Sequence, residues 1–174
     1  MTRDEFADLA VSYLGAVTAY ARRLTRSASD ADDLVQDTYG RAFSHWTELR
    51  ERRACRAWLF RIARNICMDH VRREAARPEL RLVNRGDSLG SEPVVSAESV
   101  ERMDAQQLEA ALGRLSDEQR EAVLLCDLWG FQYDEIAEIM RCPLGTVQSR
   151  IARGRALLAT LLATDAERGK GRRG

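Results

Sequence analysis

The stretch Gly145-Thr146-Val147-Gln148-Ser149-Arg150-Ile151-Ala152-Arg153-Gly154-Arg155 combines residue types that read nucleic acid at a spacing that suits a helix. Glutamine, serine and arginine carry the donors and acceptors that pair with base edges, and arginine's planar fork also fits phosphate. Val147 and Ile151 stand four apart and face a core beneath. That projects Gln148, Ser149 and Arg150 near the helix N-terminus, where recognition helices meet the major groove. Thr146 can cap the helix, whose first amides attract phosphate, and Gly145 permits a close turn before it. Arg153 and Arg155 lie a turn further on, placed for backbone phosphates. A solvated basic helix could share this composition. The amphipathic run Asp134-Glu135-Ile136-Ala137-Glu138-Ile139-Met140 just upstream favours DNA, because short helix, tight turn and basic helix form a helix-turn-helix.

The net charge is zero, but the charge is segregated. Arg50 to Arg77 holds nine arginines against three acids, and Glu101 to Glu138 holds ten acids against three arginines. Ile139 to Leu162 holds four arginines and no acid. Two basic stretches flanking an acidic one point to two polyanion-binding surfaces, although charge runs alone also describe solvated helix faces. Lys170 is the only lysine, so the cations suit bidentate contacts.

Other chemistries find little support. Cys55, Cys67, Cys126 and Cys142 form no Cys-x-x-Cys pair, and His45 and His70 stand apart from them. Free, packed thiols are expected, with no disulfide framework, metal site or cofactor. The acids are dispersed along helices and do not gather around a nucleophile, so no enzyme is expected. The N-terminal residues lack a signal-peptide core, and no apolar run approaches the roughly 20 residues of a membrane span. A cytoplasmic protein with no membrane contact of its own is expected.

The elements that must position these residues read as helices throughout. Phe6, Leu9, Tyr13, Val17, Tyr20 and Leu24 recur at three- and four-residue steps, predicting one helix over 4–25. Ser29 with Asp32 resembles a capping box for a helix over about 30–45, with Leu34, Val35, Thr38, Tyr39, Ala42 and Phe43 inward. Asp33, Gln36, Asp37 and Arg41 then face outward. A third helix, about 54–75, buries Trp58, Leu59, Ile62, Ile66 and Val71. Residues 77–101 contain two of the three prolines and two glycines and show no helical period, as a flexible linker would. Met103, Leu108, Ala111, Leu112 and Leu115 begin a second helical set. Ser116-Asp117-Glu118-Gln119 is a capping box for a helix to about Leu128, ended by Gly130. Helices over Tyr133–Met140 and about Thr146–Leu162 follow, before a basic, disordered tail. The expected fold is all-α: domains 1–76 and 102–165, linker 77–101 and tail 166–174. Trp46, Trp58 and Trp129 are expected to serve packing.

Asp134-Glu135-Ile136-Ala137 followed by Gly145-Thr146-Val147 and Ser149-Arg150 resembles region 4 of the sigma-70 superfamily. The N-terminal half agrees independently. Asp32-Asp33-Leu34-Val35-Gln36-Asp37-Thr38 resembles region 2.2, and Arg56 to Asn65 with Asp69 resembles regions 2.3–2.4. The similarity covers about 10–75 and 103–162, in family order. With no long acidic N-terminal region and a 25-residue linker where a third domain would lie, the pattern is similar to the small extracytoplasmic-function (ECF) group.

That resemblance implies a transcription initiation factor bound to core RNA polymerase at its clamp helices and flap. Asp33, Gln36 and Asp37 would dock on the clamp. Thr146, Gln148, Ser149, Arg150, Arg153 and Arg155 would meet the minus-thirty-five element. Asn65, whose amide both donates and accepts, would hold a flipped minus-ten base. Arg61, Arg64, Asp69, Arg72 and Arg73 would line the exposed strand. An anti-sigma partner is implied as well. A helix-turn-helix regulator acting without polymerase would explain the second half but not the basic 50–77 stretch. A recombinase would need a catalytic cluster that is missing.

Overall fold

A computed structural model describes residues 2–76 and 99–171, with side chains in the second segment from 105 to 163. The described residues form helices and turns and contain no strand. The chain divides into two compact units, Met1–Glu92 and Pro93–Gly174.

The first unit holds α1 (Arg3–Ser12), α2 (Leu14–Leu24), α3 (Ala28–Ser44), two single 3-10 turns (Trp46–Glu48 and Arg52–Ala54) and α4 (Cys55–Ala75). The single helix expected over 4–25 is broken at Tyr13, whose backbone sits at φ −97°, ψ 3°. There the Ser12 hydroxyl donates to the Leu9 carbonyl, an alternative to the helical ladder, and Gly15 follows with little helix propensity. α1 opens on a reciprocal box between Thr2 and Glu5. α3 is capped by Ser27, which accepts from the Asp30 amide at 3.0 Å. Ser29 and Asp32 therefore lie inside the helix and form no box.

Three aromatic contacts organise this core. Phe6 meets Phe43 and Trp58 edge-on, at 5.4 and 6.0 Å, and Tyr20 stacks on Phe60 at 4.5 Å. Such pairs add to the burial of their own large apolar areas. α4 is buried nearly all round from Cys55 to Ala63, then on one face as far as Cys67. Val71, expected in the core stripe, is 52% exposed, because the last turns of α4 project beyond the helices that cover its start.

The Tyr39 hydroxyl donates to the Ala10 carbonyl at 2.9 Å, tying α3 to the end of α1. Burial pushes this hydroxyl up to about 12 and the Cys55 thiol up to about 11. Both pKa values are raised, so each group favours the fold fully below its unfolded value, 10.0 for tyrosine and 9.0 for cysteine. That contribution disappears as pH climbs through 11–12. Urea unfolding of the first unit should therefore show constant stability from pH 7 to about 8, then a loss of up to about 5 kcal/mol by pH 12, reduced by solvent screening of the partly exposed Tyr39. Tyr39→Phe should cost about 1 kcal/mol at pH 7 and shrink the alkaline loss. A profile still flat at pH 11 would contradict both shifts.

The second unit holds α5 (Ser99–Gly113), α6 (Asp117–Asp127), α7 (Tyr133–Met140) and α8 (Leu144–Gly171). α5 begins within the last three positions expected of the linker; the rest of that linker lies outside the described residues. Ser116 and Gln119 form the capping box read from the sequence, with both reciprocal bonds present. Gly130 ends the α6 segment at φ +66°. Leu108, expected inside, is 44% exposed. The core includes Leu112, Leu115, Leu125, Phe131, Ile136, Ile139, Val147 and Ile151. α8 continues to Gly171, past the expected end at Leu162 and through most of the expected tail.

Candidate nucleic-acid and polymerase interfaces

The turn between α7 and α8 differs from its sequence reading. Arg141, at φ 51°, ψ 49°, closes α7 in the left-handed conformation, a job usually given to glycine. α8 then starts at Leu144, with the Pro143 carbonyl accepting from the Thr146 and Val147 amides. Gly145 is consequently a helical residue with open space around it, and Thr146 sits inside the first turn, where its side chain cannot be the N-cap.

Val147, Ile151 and Gly154 form the buried stripe of α8. A Cβ at Gly154 would lie 2.7 Å from Val123 Cγ2 and 3.3 Å from Leu115 Cδ2, so α8 crosses α6 at a point where only glycine fits. Gln148 and Arg153 are exposed, while Thr146 and Ser149 are half-buried. The Ser149 hydroxyl donates to the Thr146 carbonyl at 2.9 Å. Arg150 and Arg155 face differently. Arg150 lies 2.7 Å from Glu118 Oε2, and Arg155 forks onto Asp127 with Nε 3.1 Å from Oδ2. The hydrogen-bonded Arg155 guanidinium holds the Asp127 carboxyl below its usual value and is itself held more firmly protonated.

On α4, Asn65 is half-buried at the edge of the core helix. At roughly 100° per residue, Arg61, Asp69 and Arg72 fall within about 40° of it. Arg64 and Arg73 fall about 100° and 80° away, so the expected six-residue strip is narrower than its sequence suggests. Asp69 pairs with Arg72 at 3.3 Å, a largely exposed contact of small energy. On α3, Leu34, Thr38 and Ala42 are buried, while Asp33, Gln36 and Asp37 are exposed on the opposite side.

Four residues with structural roles here were not singled out in the sequence: Glu118, Asp127, Arg141 and Gly154. Gly154 had a legible signal, a glycine seven residues after Val147 on the apolar stripe. The carboxylates had none, since their partners stand about 30 residues away. Among the described residues no group of His, Cys, Asp or Glu side chains could hold a metal ion, and no helix is long and apolar enough to cross a membrane.

Fold and geometry together define a helical protein with a helix-turn-helix in one unit and an arginine-rich core helix in the other. Residues 9–77 match Sigma-70 region 2, and residues 105–158 match Sigma-70 region 4. The chain belongs to the sigma-70 family. It is 33% identical over 162 residues to the ECF RNA polymerase sigma factor EcfG of Rhodopseudomonas palustris, covering 93% of this chain and 87% of that one. It is 37% identical over 132 residues to the ECF sigma factor SigC of Mycobacterium tuberculosis, covering 74% and 69%. Among solved structures, it resembles the sigma factor RpoE of Bartonella quintana, seen in complex with the anti-sigma factor NepR. That match has a TM-score of 0.72 and 30% identity, and covers 94% of this chain and 99% of that one.

Proposed function

We infer that this chain is a transcription initiation factor of the ECF group, which binds core RNA polymerase and directs it to specific promoters. The observation that carries this is the occurrence of regions 2 and 4, in order, over most of one chain. A regulator acting without polymerase would need only the second.

Within that function, the first unit serves as the polymerase and minus-ten module and the second as the minus-thirty-five module. Asn65, with Arg61, Asp69 and Arg72 on the same face, is suited to hold an unstacked base and its strand, and Arg64 and Arg73 can reach only flanking phosphates. Gln148 and Arg153 are exposed near the start of α8, as is Arg155 although it pairs with Asp127, and Thr146 and Ser149 lie beside them. The factor works where its polymerase and DNA are, in the cytoplasm, and an anti-sigma partner of the kind bound to the Bartonella relative fits the same reading. Its role is recognition and strand opening, with no catalytic residue of its own.

Transcription in vitro, with purified core polymerase and a promoter library, tests the function. Specific transcripts should require both components. Sequence-specific duplex binding by the chain alone, unchanged by core, would favour the regulator instead.

The docking surface gives a narrower expectation. Reversing Asp33 and Asp37 to lysine replaces attraction to a basic groove by repulsion. Core affinity should fall by at least about tenfold, with an unchanged thermal transition because both side chains are exposed. Unaltered core affinity would remove α3 from the interface.

A further inference from the structure

Of the three arginines on the described side-chain part of α8, two are paired with carboxylates of α6: Arg150, largely covered, and Arg155, whose side chain stays 47% exposed. Arg150 is only 19% exposed; its Nη2 meets Glu118 Oε2 at 2.7 Å and its Nη1 meets Cys142 Sγ at 3.4 Å. Arg155 holds both oxygens of Asp127, and its Nη2 lies 3.4 Å from Cys126 Sγ. Glu118 and Asp127 stand in the first turn and at the last residue of α6. On α8 the two arginines lie about 140° apart, one on each flank of the Val147–Ile151–Gly154 stripe. An apolar stripe alone sets how close two helices come but resists rolling weakly, because hydrophobic contact is not directional. Two directional ion pairs on opposite flanks resist roll in both senses.

We propose that Glu118 and Asp127 are positioning residues for the DNA-reading helix, acting through Arg150 and Arg155 as struts. The exposed Gln148 and Arg153 then do the reading. For Arg150 to reach DNA it would have to leave both Glu118 and Cys142, and the bared carboxylate would face phosphates of like charge. The proposal rests on α8 being the minus-thirty-five helix, and it removes two of the six expected contacts from the DNA.

The test measures holoenzyme binding to a promoter fragment across salt concentrations. The variants are Arg150→Ala, Glu118→Ala, Glu118→Gln and the double Arg150→Ala/Glu118→Ala, with Arg153→Ala and Gln148→Ala for reference. Thermal melting confirms that each is folded. A phosphate contact contributes about 0.9 to the slope of log affinity against log salt, so Arg153→Ala should flatten that slope by about one. As struts, Arg150→Ala and Glu118→Ala should each weaken binding by about fivefold with a wild-type slope, the size expected for one partly exposed ion pair. The double variant should be no weaker than either single one, since both remove the same tie. Glu118→Gln, which keeps an oxygen for Arg150, should recover most of the affinity. A flattened slope for Arg150→Ala overturns the proposal, as does tighter binding by Glu118→Ala or wild-type affinity in both. Failure of the underlying reading shows separately: Gln148→Ala would then leave the ranking of minus-thirty-five variants unchanged.

Discussion

Asn65→Ala should form closed complexes as well as the parent protein and fail to open them. The proposed duplex contacts lie elsewhere, on α8, and the proposed polymerase contacts on the exposed face of α3, so initial binding should survive. Opening a duplex requires unstacking a base, which costs a few kcal/mol and must be offset by what receives it. A side-chain amide pairing bidentately with a base is worth about 1–3 kcal/mol. Opening should therefore fall by roughly ten- to a hundredfold. Asn65 is half-buried but lies outside the fully buried stripe of α4, so the fold should tolerate alanine. Permanganate reactivity of the bubble reports opening, and filter binding reports the closed complex. A premelted template should restore much of the activity, because its unstacking cost is already met. Normal melting of a duplex promoter by the variant would shift the reading to Arg72, on the same face of α4, and to Arg73.

Gly154→Ala should destabilise the second unit although alanine is the better helix former. The added methyl would sit 2.7 Å from Val123 Cγ2. Valine is branched at Cβ and has little rotameric freedom within α6, so α8 must move away. Overpacking of this kind costs about 1–3 kcal/mol, against a propensity gain of about 1 kcal/mol. The net loss should lower the transition by several degrees, since about 1 kcal/mol shifts a small domain by roughly 4–8 °C. Gly154→Leu should abolish folding of the unit. Val123→Ala removes the obstructing methyls, so Gly154→Ala in that background should be neutral or stabilising. The sign reversal separates a steric clash from a general need for flexibility. If Gly154→Ala raised the melting temperature in the parent background, the close helix crossing would be wrong.

These two cases differ in how visible they were in the sequence. Asn65 sits four residues before Asp69 and seven before Arg72, so its neighbours on one face followed from helical period alone. Gly154 lies on a legible apolar stripe, but the atom it faces, on Val123, is 31 positions away. The same contrast runs through the fold. The inward faces of α3 and of α8 were legible because each alternates apolar and polar residues at a single period. The break at Tyr13 was not, because Phe6, Val17 and Tyr20 keep one period through it, and a one-residue change of backbone leaves that pattern intact. Val71 and Leu108 also keep the period but are exposed, since a stripe shows which way a residue faces and not whether another helix covers it.

The sequence by itself determined the helical class, the two basic segments, the family motifs and many of the residues facing the core. All of these depend on local periodicity and residue type. Only the tertiary structure decided which arginines on α8 are paired with carboxylates of α6. Arg150, Arg153 and Arg155 are alike as charges on a basic helix, and their sequence spacing assigned all three to DNA. Glu118 and Asp127, brought beside two of them by the packing of α6 on α8, distinguish the paired Arg150 and Arg155 from Arg153. The same packing requires glycine at position 154. Neither requirement is local: each comes from an approach between helices about 30 residues apart, which periodicity within one helix does not encode.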